Sequence, residues 1–123
     1  MNEKNDPRIQ IYTNLDNVQK DVEKAAKDRI DEIKYEAKEQ KKSLKDGMKD
    51  LKQEAKDSYN QYKDYKKDSG DPLADEKIST AKEARKVVEK GIENDYQETK
   101  DQIDRETEHR INSIDNMLND TKE

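Results

Sequence analysis

At 123 residues, with 46% of positions charged, 28% hydrophobic and no Phe or Trp, the chain lacks the apolar material for a conventional globular core. It contains no Cys, which excludes a disulfide framework, a thiolate metal site and a cysteine nucleophile. The net charge of −5 is unevenly divided: residues 1–67 hold 17 basic and 15 acidic side chains and residues 68–123 hold 9 and 16. Neither part has the basic excess that neutralising nucleic-acid phosphates requires, so nucleic acid is not an expected partner.

Residues 1–20 contain no run of apolar side chains, so neither a signal peptide nor a membrane-spanning segment is expected there, and a cytoplasmic location follows as the default. Residues 1–6 are expected to be disordered. A helix start stands at Asp6-Pro7, where a capping carboxylate precedes a proline whose missing N–H costs nothing at the first helical position.

From that point apolar residues return every eleven positions. Ile11, Val22, Ile33, Leu44 and Ala55 form one column, and Leu15, Ala26, Ala37, Met48 and Tyr59 follow four residues behind. A third column, seven behind the first, reads Val18, Arg29, Gln40, Leu51 and Tyr62. Eleven residues make three turns at about 3.67 per turn, close to the unstrained α-helix, so the three columns form one nearly straight stripe. The stripe spans roughly 65°, narrower than the face of a globular surface helix, and reads as a coiled-coil seam. It is flanked on one side by Lys27, Lys34, Lys38, Lys45, Lys49 and Lys56 and on the other by Asp21, Asp28, Glu32, Glu39, Asp50 and Glu54.

Lys66 and Lys67 suit a helix C-terminus, and Asp68-Ser69-Gly70 supplies a glycine stop. Asp71-Pro72 repeats the start signal, with Asp75 and Glu76 placing acid in the first turns. The prediction is therefore a helix over 7–67, a turn at 68–71, a helix over 72–120 and a frayed end at 121–123. The second helix carries the same beat as Ala81, Ile92, Ile103 and Ile114, joined by Val88 and Leu118. So short a turn makes the helices antiparallel neighbours.

Folding the hairpin about Gly70 brings residues summing to near 140 level. Ile103 then meets Ala37, Ile114 meets Ala26, Ile92 meets Met48 and Tyr59 meets Ala81, large against small at most levels. Lys45 comes level with Glu93 and Lys34 with Asp104, although Lys56 with Lys82 and Glu23 with Asp115 are like-charged, so the electrostatics of this register are mixed. Gly47 and Gly91 also fall level, allowing either a close approach or two weak points. Arg29, Gln40, Arg85, Thr99 and Thr107 interrupt the seam, so two helices alone bury little. Parallel first helices of two chains would set the lysine flank of one against the acidic flank of the next, and a dimer of hairpins, forming a four-helix assembly, would let both pairings coexist.

Three chemical alternatives carry less weight than this architecture. Glu106 and His109 have the carboxylate–imidazole spacing of di-iron bundles, but they fall beyond the seam edge and lack partner glutamates on the first helix. The acids at 68–76 do not match a calcium-binding loop and are better read as caps. Tyr59, Tyr62 and Tyr65 could stack on a ligand, yet packing near the turn explains them. With no phosphate loop, no nucleophile–histidine pair and no enclosed core, no enzyme and no cofactor are expected.

Segments such as Ala37-Lys38-Glu39-Gln40-Lys41-Lys42 and Ala55-Lys56-Asp57-Ser58-Tyr59 resemble the eleven-residue repeats of group 3 late embryogenesis abundant proteins. The resemblance covers most of both helices. It implies a chain that is disordered when hydrated, becomes helical on drying or at membranes, and protects other proteins and bilayers. This chain departs from that pattern with less Ala and Thr, six Tyr and larger aliphatics in the first column.

The sequence thus predicts an all-α protein of two long amphipathic helices in an antiparallel hairpin with eleven-residue repeats, assembling as an oligomeric coiled coil or four-helix unit. Its expected role is a non-enzymatic interaction or scaffold protein. The expected seam is Ile11, Leu15, Val18, Val22, Ile33, Leu44, Met48, Leu51, Tyr59 and Tyr62 on one helix and Val88, Ile92, Ile103, Ile114 and Leu118 on the other. The expected partner is a second copy or another helical protein, with a membrane surface less favoured.

Overall fold

A computed structural model describes the backbone of residues 7–122 and the side chains of residues 11–120. The expected Asp6 cap, the expected disorder of residues 1–6 and Glu123 lie outside the described residues. The architecture is all-helical: α1 runs Pro7–Asp68, α2 runs Ala74–Lys122, the two pack against each other, and no strand occurs among the described residues.

The turn is built as its residues dictate. Gly70 sits at φ 73°, a left-handed conformation that glycine adopts without steric cost and that ends α1. Ser69 donates from both its N–H (3.3 Å) and its hydroxyl (2.7 Å) to the Lys66 carbonyl. Asp71 Oδ1 accepts the Leu73 N–H at 2.9 Å, and the Asp71 carbonyl accepts the Ala74 N–H at 3.1 Å. This carboxylate therefore caps α2 as an N-cap aspartate does. Regular helix begins at Ala74, with Pro72 and Leu73 in the turn leading into it.

Tertiary contacts divide the chain into two compact units, each combining a stretch of both helices. The turn-side unit is Lys38–Asp104, and the other joins α1 up to Ala37 with α2 from Arg105 onward.

In the turn-side unit the half-buried α1 residues are Lys41, Leu44, Met48, Lys52, Ala55, Tyr59, Lys63 and Lys66. Facing them on α2 are Ala74, Ile78, Ala81, Arg85, Glu89, Ile92, Tyr96, Lys100 and Ile103. In the other unit Ile33 and Ala37 are buried, at 2% and 6% exposure. Ala26, Ile30, Thr107, Ile111, Ile114 and Leu118 accompany them, half-buried.

Candidate interaction surface

The first two expected columns are half-buried or buried from Ala26 to Tyr59, whereas the third is not. Leu51 is 51% exposed, Val88 51% and Val18 58%, and Tyr62 is exposed as well. The residues that complete the contact stand eight behind the first column, not seven: Ile30, Lys41, Lys52 and Lys63 on α1, and Ile78, Glu89, Lys100 and Ile111 on α2. Of these, Ile30, Ile78 and Ile111 were legible as apolar residues at a constant offset. The lysines were not, because a lysine reads as solvated until its aliphatic stem is seen to lie along a neighbour.

Charge explains the choice of side. Lys41 Nζ donates to Asp104 Oδ1 at 2.7 Å, and Lys52 Nζ bridges to Glu93. The two acids are those expected to pair across the hairpin, but each takes a lysine seven residues further along α1 than Lys34 and Lys45. The Cα–Cβ bond tilts toward a helix's own N-terminus, so in an antiparallel pair the two side chains lean past each other. Tips that meet therefore belong to residues whose numbers sum to more than a level pair of α-carbons would give.

The seam-interrupting residues divide in the same way. Arg85 belongs to the contact and is accommodated there, its guanidinium 5.5 Å above the Tyr59 ring and 2.8 Å from Glu89. Arg29, Gln40 and Thr99 lie outside it, exposed. Arg29 instead pairs with Glu32 (3.2 Å) and Glu36 (3.8 Å), and Arg110 adds a contact to Glu36 at 3.6 Å.

Offsets from the first column place the residues that border the buried face of the turn-side unit on one side of the hairpin or the other. At about 98° per residue, positions one and five after that column flank the buried face on one side, and positions three, seven and ten flank it on the other. Antiparallel helices facing each other bring like flanks together. The first flank carries Lys38, Lys45, Lys49, Lys56, Asn60 and Lys67 from α1 and Asp75, Lys82, Lys86, Glu93, Gln97 and Asp104 from α2. The second carries Gln40, Ser43, Gly47, Leu51, Glu54, Ser58, Tyr62 and Tyr65 from α1. From the turn it receives Leu73, and from α2 Lys77, Thr80, Ala84, Val88, Gly91, Asp95, Thr99 and Gln102.

Every residue of that second flank is exposed, and only Glu54, Lys77 and Asp95 are charged, in a chain that is 46% charged. An open groove runs along it, lined by Ala55, Ser58, Tyr59 and Tyr62 of α1 and Ala81, Ala84, Arg85 and Val88 of α2. A second apolar groove, in the other unit, is lined by Val22, Ala26, Arg29, Ile114, Met117 and Leu118. Neither Gly47 nor Gly91 has a neighbour within 4 Å of where a Cβ would stand, so neither serves a close approach within the hairpin.

Among the remaining seam residues, Ile33, Leu44, Met48, Tyr59, Ile92, Ile103, Ile114 and Leu118 are buried or half-buried, while Ile11 (59%), Leu15 (58%) and Val22 (44%) are exposed. Lys66 Nζ lies 5.9 Å from the Tyr62 ring centre and 5.8 Å from that of Tyr65, so this lysine and Arg85 occupy faces of the tyrosine cluster. Asp71 also accepts from Lys77 Nζ at 2.7 Å and Lys66 Nζ at 3.3 Å. The Lys77 bond and the Leu73 N–H hold its carboxyl down at about 2. The same bond raises the Lys77 ammonium.

His109 is exposed, and among the described residues no group of three His, Asp or Glu side chains is arranged to hold a metal ion. No described helix is long and apolar enough to cross a membrane. Comparisons of the chain with protein-family models, with curated proteins and with solved structures find no match.

Proposed function

We propose that this chain is a non-enzymatic helical interaction or scaffold protein, residing in the cytoplasm, that self-associates through eleven-residue-repeat packing of its hairpins. The observation that carries this reading is the fate of the third apolar column. Leu51, Tyr62 and Val88 recur on the beat that builds the hairpin, yet the hairpin leaves them partly in water, Tyr62 at 36% and Leu51 and Val88 at 51% exposure. Apolar side chains gathered on one charge-poor face of an otherwise highly charged surface mark a place where another macromolecule sits. The half-buried positions of α2 support the repeat itself: from Ala74 to Leu118 they advance by four, three and four residues throughout, eleven per cycle.

Sedimentation equilibrium across a hundredfold range of concentration, with circular dichroism of the same samples, tests the reading. A helical species whose mass rises to a defined oligomer is the expected result. A helical monomer at every concentration would refute it.

A second reading, a protectant or membrane-surface helix of the late embryogenesis abundant type, draws on the scarcity of buried residues: among the described residues only Ile33 and Ala37 are buried. Such a chain has little to offset its conformational entropy in dilute solution. Dichroism of a disordered chain that gains helix only with vesicles or on drying would favour this reading over the first.

A further inference from the structure

The charge-poor flank of the turn-side unit suits one occupant best. We infer that it seats the same flank of a second copy, with a two-fold axis running along the helices so that α1 of one hairpin lies antiparallel against α2 of the other. This rests on the self-association reading and specifies its surface.

Three observations converge on the occupant. The first is charge. A face with so few ionised groups has little to offer a strongly basic or acidic partner, whereas it meets a copy of itself without like-charge repulsion. In the two-fold arrangement Glu54 falls level with Gly91 and Ile92 of the second copy, and Asp95 falls level with Leu51. No acid opposes an acid.

The second observation is shape. With the register seen within the hairpin, where Lys52 meets Glu93 and Lys41 meets Asp104, the same levels set Tyr62 against Ala84 and Val88 against Ser58 of the second copy. Large residues oppose small ones, as interdigitating layers require.

The third is area. About 30 residues of each helix at 1.5 Å rise, in two helices each about 10 Å wide, give a footprint on the order of 900 Å². A specific interface buries about 800 Å² per partner. The opposite flank covers a similar span but is crowded with Lys38, Lys45, Lys49 and Lys56 of α1 and Lys82, Lys86, Glu93 and Asp104 of α2, ionised groups that a copy-to-copy contact would have to desolvate.

The test uses the full chain, whose lack of cysteine makes introduced thiols unique. Ser58→Cys and Val88→Cys variants are prepared singly, mixed in equal amounts and oxidised. Lys49→Cys and Lys86→Cys, on the other flank, serve as the control pair. A disulfide forming at least ten times faster in the Ser58/Val88 mixture than in the control mixture is expected. In parallel, Val88→Lys is expected to raise the dissociation constant at least tenfold while leaving the dichroism of the dilute protein unchanged. Leu51→Lys supplies a second reading should Val88→Lys lose helix.

Equal crosslinking in both mixtures, or dissociation constants unmoved by Val88→Lys and Leu51→Lys in a protein that still self-associates, overturns the face and leaves the self-association reading standing. A wild-type chain that sediments as a monomer throughout overturns both. So does a monomer that binds anionic vesicles, which would give the apolar flank to a lipid surface.

Discussion

At the scale of single residues, the three glycines behave differently for reasons the backbone makes plain. Gly47 lies in the interior of α1 with open space around it, so Gly47→Ala relieves chain entropy without a clash. It is expected to stabilise the hairpin by about 0.5–1 kcal/mol in urea denaturation of dilute protein. Gly70 holds a φ of 73°, and Gly70→Ala is expected to cost about 1 kcal/mol in the same assay, because an L side chain resists the left-handed region. Asp71 provides a pH signature. Its carboxyl, held at about 2 by the Lys77 bond and the Leu73 N–H, is depressed below its value in the unfolded chain. Its contribution is therefore full above an unfolded carboxylate's pKa near 4 and is lost as pH falls toward about 2. Acid titration followed by circular dichroism should show the melting temperature of Asp71→Asn falling less steeply than wild type through that window.

At the scale of elements, the helices owe little to any one contact and much to a repeated face. Ile33 is the most enclosed apolar side chain described, and Ile33→Ala is expected to destabilise by about 2–4 kcal/mol, the cost of lost burial plus a residual cavity. Ile11 belongs to the same column but is 59% exposed, and Ile11→Ala should fall within about 0.5 kcal/mol. A stripe buried along its whole length within one chain would make the two substitutions alike in thermal melts. The interhelical ion pairs count for less. Lys41–Asp104 and Lys52–Glu93 are exposed on at least one side, and such pairs contribute about 0–1 kcal/mol each and weaken with salt. Their influence is on which flank closes, since they draw the lysine stems over the apolar face.

At the scale of the whole molecule, a charged chain with two buried apolar residues among those described gains from association what it lacks in core. The melting temperature should rise as protein concentration is raised, since ligation by a second copy stabilises the folded form by mass action. A concentration-independent transition would contradict this. The hairpin is separately testable through spin labels at Lys38 and Asp104, both in the turn-side unit, in labelled protein diluted with unlabelled chain. Helices packed 8–10 Å apart put the labels within about 25 Å, whereas a continuous helix would part them by about 100 Å.

Much of this was legible from residues alone. Helix stops and starts follow from local chemistry: a left-handed glycine at Gly70, a carboxylate at Asp71 that satisfies a free N–H, and a proline where no donor is needed. The antiparallel neighbour follows from the length of the turn. That Ile33, Leu44, Met48 and Ile92 would be shielded follows from spacing. What only the tertiary structure decided is which edge of the stripe the hairpin uses. A helical wheel shows a band of apolar residues but carries no information on the second helix's lysines and carboxylates, or on how far tilted side chains lean past one another. Lys41 and Lys52 reaching Asp104 and Glu93 turned the contact toward the eighth position and left Leu51, Tyr62 and Val88 facing outward. A residue's place on its helix is a local property, but its burial depends on what lies opposite.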